Sequence, residues 1–90
     1  MRSPEAVANR LINDLGRRVA EIRVQHGWTQ QNLADELGVT LRYVQAVEGG
    51  KQNLSLRSVA AFAVALKVSP IDLLHAPNTS RQKAGRPRKQ

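Results

Sequence analysis

Apolar residues recur along this chain at helical spacing and never alternate as they would in a half-buried strand. Val7, Leu11, Leu15, Val19 and Ile22 fall four, four, four and three apart, forming the stripe of a long first helix. Ser3 and Pro4 supply its N-cap and first position, Glu5 sits beside the positive helix end, and Gly27 ends it. Gly16 interrupts the stripe, so a bend or break is expected there.

The next four helix starts share one design. Thr29, Thr40, Ser55 and Ser69 each read as an N-cap, preceded by an apolar residue that has a partner five positions on. The pairs are Trp28 with Leu33, Val39 with Val44, Leu54 with Val59, and Val68 with Leu73, the spacing of the hydrophobic staple. Helices are therefore predicted over 30–37, 41–48, 56–66 and 70–74, with GGKQNL at 49–54 as a loop. Beyond Leu74 the pattern stops, and HAPNTSRQKAGRPRKQ reads as a disordered basic tail. The expected fold class is all-α: one five-helix domain over 1–76, followed by the tail over 77–90.

Two short helices joined by so tight a turn make a helix-turn-helix over 29–49. Ala34 is small where the helices must approach, and Gly38 can take the positive φ of a sharp turn. Leu33, Leu37, Val39, Val44 and Val47 are the expected apolar contacts across the crossing. Trp28 reads as core.

The segment TQQNLADELGVTLRYVQAVEGGK resembles the helix-turn-helix of the Cro/C1-type repressors, the XRE family. The likeness runs from about Leu15 to Leu74 and includes SLRSVAAFAVALKVSPIDLL. It implies a compact five-helix DNA-binding domain whose third helix enters the major groove. By the same resemblance Gln30 and Lys51 contact phosphates, and Thr40 caps the recognition helix and reaches the backbone. Leu41, Arg42, Gln45 and Ala46 match positions that face base edges. Arg23 and Glu48 match a largely buried ion pair between helix one and the end of helix three.

Helical geometry supports an outward reading face. With Val44 and Val47 turned inward at about 100° per residue, Arg42, Ala46 and Gly49 point away from the core, with Gln45 beside them. Arginine can donate twice to guanine, glutamine can pair with adenine, and Leu41 or Ala46 can meet a thymine methyl. On an ordinary surface Arg42 would be a solubilising charge, and Leu41 could tuck against the core. Tyr43 has two readings, a phosphate contact or half-buried packing.

Composition narrows the function. The net charge is +7, but residues 81–90 hold Arg81, Lys83, Arg86, Arg88 and Lys89 with no acid. The preceding eighty residues carry nine bases and seven acids, so basicity belongs mainly to the tail. There KAGRPRK resembles the core of an AT-hook, which implies that Arg86 and Arg88 lie in an AT-rich minor groove. It departs at Ala84, where the pattern has arginine, and a plain electrostatic arm is the other reading. The absence of cysteine excludes disulfides and thiolate metal sites. His26 and His75 have no ligand partner at helical spacing, so no metal is expected. No nucleophile-and-base spacing appears, no apolar run could cross a bilayer, and no signal core follows the N-terminus.

These features predict a cytoplasmic, sequence-specific regulator of transcription, a repressor or autoregulator rather than an enzyme. Its expected partner is double-stranded DNA, bound by a homodimer on a pseudo-palindrome. The dimer contact is expected from Ile71, Leu73 and Leu74 or from Leu11 and Ile12. No cofactor, membrane or small-molecule ligand is expected. A rival reading is an antitoxin-like module whose main partner is a toxin protein; a third is a nonspecific nucleoid protein.

Overall fold

The computed structural model describes residues 3–78, which form five helices. They are α1 (Pro4–Gln25), α2 (Gln30–Leu37), α3 (Leu41–Glu48), α4 (Leu56–Leu66) and α5 (Pro70–Leu74). The last four coincide with the ranges expected from caps and staples. Each start is closed as its cap residue predicts. Ser3 accepts from the Ala6 amide at 3.0 Å, Thr29 from Asn32 at 3.0 Å, Thr40 from Tyr43 at 3.1 Å and Ser55 from Ser58 at 3.0 Å. Ser69 accepts from Ile71 at 3.2 Å. The Asn32 and Asp72 side chains accept in turn from the Thr29 and Ser69 amides, so α2 and α5 begin with reciprocal capping boxes.

The core is built on α4, whose Val59, Phe62, Ala63 and Leu66 are buried together with Leu15, Val19, Ile22, Leu33, Val44, Val47 and Leu73. Trp28, Leu37, Tyr43, Leu54 and Val68 pack against it from the edges. Two expectations about apolar residues are corrected. Val7 and Leu11 remain 48% and 49% exposed, because the first two turns of α1 project past the elements that cover its later stripe. Leu73 is fully buried, so of the three apolar residues of α5 only Ile71 and Leu74 are on the surface. Val39, expected to hold the turn, stands at the margin of exposure and borders a shallow hollow with Leu37, Tyr43 and Phe62.

Gly16 does not break α1, which runs as one α-helix from Pro4 to Gln25. A Cβ at this position would lie 2.2 Å from the Val47 carbonyl oxygen and 3.2 Å from the Glu48 carbonyl. The glycine is there because α1 and the last turn of α3 meet backbone to backbone. Gly38 serves the turn as expected, capping α2 in the left-handed region at φ 72°. Lys67 does the same for α4 at φ 61° without glycine's freedom. Arg18 docks α5 by donating from Nε to the Asp72 carbonyl at 2.8 Å, while its Nη1 meets Glu21 at 3.2 Å. Among the described residues no helix is long and apolar enough to cross a membrane.

Opposite effects on stability follow at the two special backbone positions. Gly16→Ala gains about 1 kcal/mol of helix propensity but forces a methyl into rigid backbone, for a net loss of about 2 kcal/mol. Lys67→Gly relieves a left-handed side-chain clash and gains about 0.5–1 kcal/mol. Thermal melting of the two variants should move in opposite directions; a rise for Gly16→Ala would refute the close approach.

Candidate nucleic-acid interface

The turn between α2 and α3 sets one short helix across another. Gly38 reverses the chain, the Val39 amide donates to the Ala34 carbonyl at 3.0 Å, and Thr40 starts α3 one residue later. Ala34 is fully buried in the crossing. Val44 and Val47 turn inward, which leaves Arg42 and Gln45 exposed and Leu41 and Ala46 half-buried along the opposite edge. Those four side chains thus line one side of an eight-residue helix.

The end of α3 is tied back before the loop begins. The Gly49 amide donates to Gln45, Gly50 to Val47 and Lys51 to Ala46, at 2.9, 3.1 and 2.9 Å. Lys51 is exposed, and its backbone position is set by α3 itself. Gly49 is the half-buried C-cap of α3, and a Cβ there would come 3.2 Å from the Gln45 carbonyl oxygen of the same helix. Tyr43 is half-buried, its ring tilted against Phe62 at a centroid distance of 6.2 Å, so packing is what holds it.

Beneath this surface lies a buried charge. Glu48, 6% exposed, receives Arg23 Nε on Oε2 at 2.6 Å and Arg23 Nη2 on Oε1 at 3.0 Å. The remaining arginine nitrogen, Nη1, donates to the Trp28 carbonyl at 2.7 Å. Gln30 adds a third donor to the carboxylate, from Nε2 to Oε1 at 2.9 Å. One ion pair therefore joins α1, the turn before α2, the start of α2 and the end of α3. The bidentate fork satisfies both oxygens, which a lysine ammonium could not do.

Two participants are invisible to sequence reasoning. The family resemblance gives Gln30 a phosphate, yet its amide also grips Glu48; no periodicity signals a contact across eighteen positions. Gly16 reads as a helix breaker. A glycine kept inside an otherwise regular stripe is the available clue that another backbone comes close. Thr40 is an exposed cap, as its sequence position requires. Arg86 and Arg88 lie outside the described residues. Among the described residues no cluster of three or more histidines and acids could hold a metal ion.

A helix-turn-helix family model, HTH_3, matches residues 19–73, from within α1 to α5. A hypothetical transcription factor of Neisseria meningitidis serogroup B is 40% identical to this chain over 55 residues, 61% of this chain and 52% of that protein. The chain thus spans about half the length of that curated relative. The crystal structure of the hypothetical transcription factor NHTF from Neisseria superposes with a TM-score of 0.71 at 36% identity, covering 74% of this chain and 77% of that one. The restriction-modification controller protein C.AhdI from Aeromonas hydrophila gives 0.66 at 35% identity, covering 69% and 94%.

The buried pair carries a clear stability prediction. Glu48→Ala strands the Arg23 guanidinium in a low-dielectric site and should cost about 3–5 kcal/mol. Glu36→Ala, on the exposed side of α2, should stay within about 0.5 kcal/mol of the parent. Denaturant melts of both variants test this, and similar midpoints would remove the pair from its structural role.

Proposed function

We propose that this chain, which belongs to the helix-turn-helix family HTH_3, is a sequence-specific regulator of transcription that binds double-stranded DNA. The carrying observation is the division of α3: Val44, Val47 and Glu48 are buried, while Arg42 and Gln45 are exposed on an unobstructed edge. Arg42 specifies guanine and Gln45 adenine, with Leu41 and Ala46 against thymine methyls. Gln30, Thr40 and Lys51 hold the phosphates and set the register; Tyr43 supports α3 from Phe62. Arg86 and Arg88 serve as an arm that reaches the minor groove beside the half-site. The similarity to a hypothetical transcription factor and to a restriction-modification controller supports a regulatory role.

An eight-residue helix reads few base pairs, so the reading requires a homodimer on a pseudo-palindromic site. The exposed apolar residues that suit a two-fold contact are Ile71 and Leu74 on α5, 64% and 43% accessible, next to α1. Repression follows when such a dimer covers a promoter.

Bound genomic fragments, recovered and aligned, should share an inverted repeat; a set with no common sequence would defeat the proposal in favour of a nonspecific binder. On the recovered site Arg42→Ala should cost about 1–3 kcal/mol and relax one position per half-site, with random DNA little affected. Lys51→Ala should weaken both DNAs and lower the salt slope by about 0.9 for each phosphate no longer neutralised. Equal losses on both DNAs for Arg42→Ala would reassign it to a phosphate.

For the dimer, Leu74→Asp should convert the sedimenting species to monomer while helicity is kept. A variant that still dimerises would move the contact to Leu11 and Ile12 of α1, and a monomeric parent at micromolar concentration would exclude both faces.

A further inference from the structure

The helix at the centre of the core is apolar on every side. Apart from Arg57 and Ser58 in its first turn, α4 carries no polar residue. A helix of that composition is normally buried all round. Here Val59, Phe62, Ala63 and Leu66 enter the core, but Leu56 and Val64 stand 83% and 77% exposed, and Ala60 between them is exposed as well. Leu56, Ala60 and Val64 are spaced by four and form one ridge along the helix. Beside it a groove runs between α4 and the end of α2. One hollow of that groove reaches Val39 and Tyr43, another reaches Val64 and Ala65, and both have Leu37 and Ala61 in their walls.

We propose that this face takes a second copy of the chain, the Leu56–Ala60–Val64 ridge of each copy seated in the α2–α4 groove of the other. A ridge beside a groove is self-complementary, because one two-fold axis places each in the other at once. The small Ala60 and Ala61 let the two α4 helices come close. Charge agrees with this arrangement. Arg57 and Glu36 both border the groove, and neither has an ion pair among the described residues. When the two α4 helices approach antiparallel, the first-turn Arg57 of each copy comes toward the last turn of the other. Glu36 borders the hollow that reaches that turn, so two Glu36–Arg57 pairs form across the axis. Residues 79–90, TSRQKAGRPRKQ, offer only Ala84 as a hydrophobic side chain and are poorly suited to fill an apolar groove.

This surface is separate from the Ile71 and Leu74 contact of α5, and it does not rest on the DNA-binding reading. It joins molecules that α5 has already paired. Its strength follows from its size. A stable interface buries about 800 Å² on each partner, and a ridge with two large side chains over a shallow groove offers less. The association therefore belongs to the range of hundreds of micromolar, above the concentrations at which the α5 contact is read.

Sedimentation of the full chain without DNA, at about 5 µM and about 500 µM, tests the surface. The parent's mass should double between the two, from whichever species α5 leaves at the lower concentration. Val64→Lys changes an exposed ridge residue and should abolish the doubling while helicity and melting temperature are kept. Leu74→Asp should still double, starting from monomer; its mass at the lower concentration reports the α5 contact separately. Glu36→Arg and Arg57→Glu should each weaken the association about tenfold, since the two-fold axis counts each change twice. Combining them should restore it, because the pairs re-form with their charges exchanged. A parent of equal mass at both concentrations would overturn the proposal, and so would a Val64→Lys chain that doubles like the parent. Doubling that Leu74→Asp loses and Val64→Lys keeps would assign it to α5. A combined variant no stronger than the single ones would overturn the antiparallel pairing.

Discussion

A buried carboxylate at the wrong end of a helix organises this domain. Glu48 is the last residue of α3, where the helix dipole is negative and an acid is unfavourable, and it is 6% exposed. Such a group persists only if donors surround it. Arg23 gives two and Gln30 a third, and Arg23 uses its remaining nitrogen on the Trp28 carbonyl. The same guanidinium thus sets the angle of α3 and the path of the chain from α1 into α2. That clamp closes only because α1 comes very near. At Gly16 a single methyl would collide with the Val47 carbonyl, so the ion pair and the glycine are two parts of one constraint.

Much of this is legible in the sequence, and what is legible is local. Thr29, Thr40, Ser55 and Ser69 mark four helix starts because a cap hydroxyl acts within three residues of itself. Gly38 marks the turn for a similar reason: its φ of 72° is a property of one residue. What escapes is set by distant partners. Whether Leu73 or Leu74 enters the core depends on how α5 docks on Arg18 and α4, and a five-residue helix has too little periodicity to decide. The outer part of the α1 stripe is as regular as the inner part, yet nothing covers Val7 or Leu11 among the described residues. Gln30 and Glu48 are eighteen positions apart, and only the closed turn of the motif brings them together.

The interface divides labour between neighbouring residues. Along α3, Val44, Val47 and Glu48 hold the helix, and Tyr43 leans on Phe62. The side chains of Arg42 and Gln45 have no hydrogen bond or ion pair among the described residues, so their identity is free of structural demand. Substitution at either changes what the surface presents and leaves the support intact. Gln30, half-buried at the start of α2, belongs to the support through its hydrogen bond to Glu48.

Charge is sorted by the same fold. The first eighty residues hold nine bases and seven acids, which suggests a nearly neutral surface. Yet Arg10 is taken up by Asp14, Arg18 by Glu21 and Arg23 by Glu48, all involving α1. Between Leu37 and Ile71 the sole acid is Glu48, and it is buried and already matched. Arg42, Lys51 and Arg57 from that segment stand exposed without an acidic partner among the described residues. A surface potential depends on which charges face solvent together, not on their sum. With Asp14 and Glu21 paired on α1 and Glu48 buried under α3, the acids left exposed among the described residues are Glu5, Asp35 and Glu36, and none of them is on α3. The buried clamp therefore serves twice: it fixes the helix, and it withdraws from the surface the one negative charge that α3 itself carries.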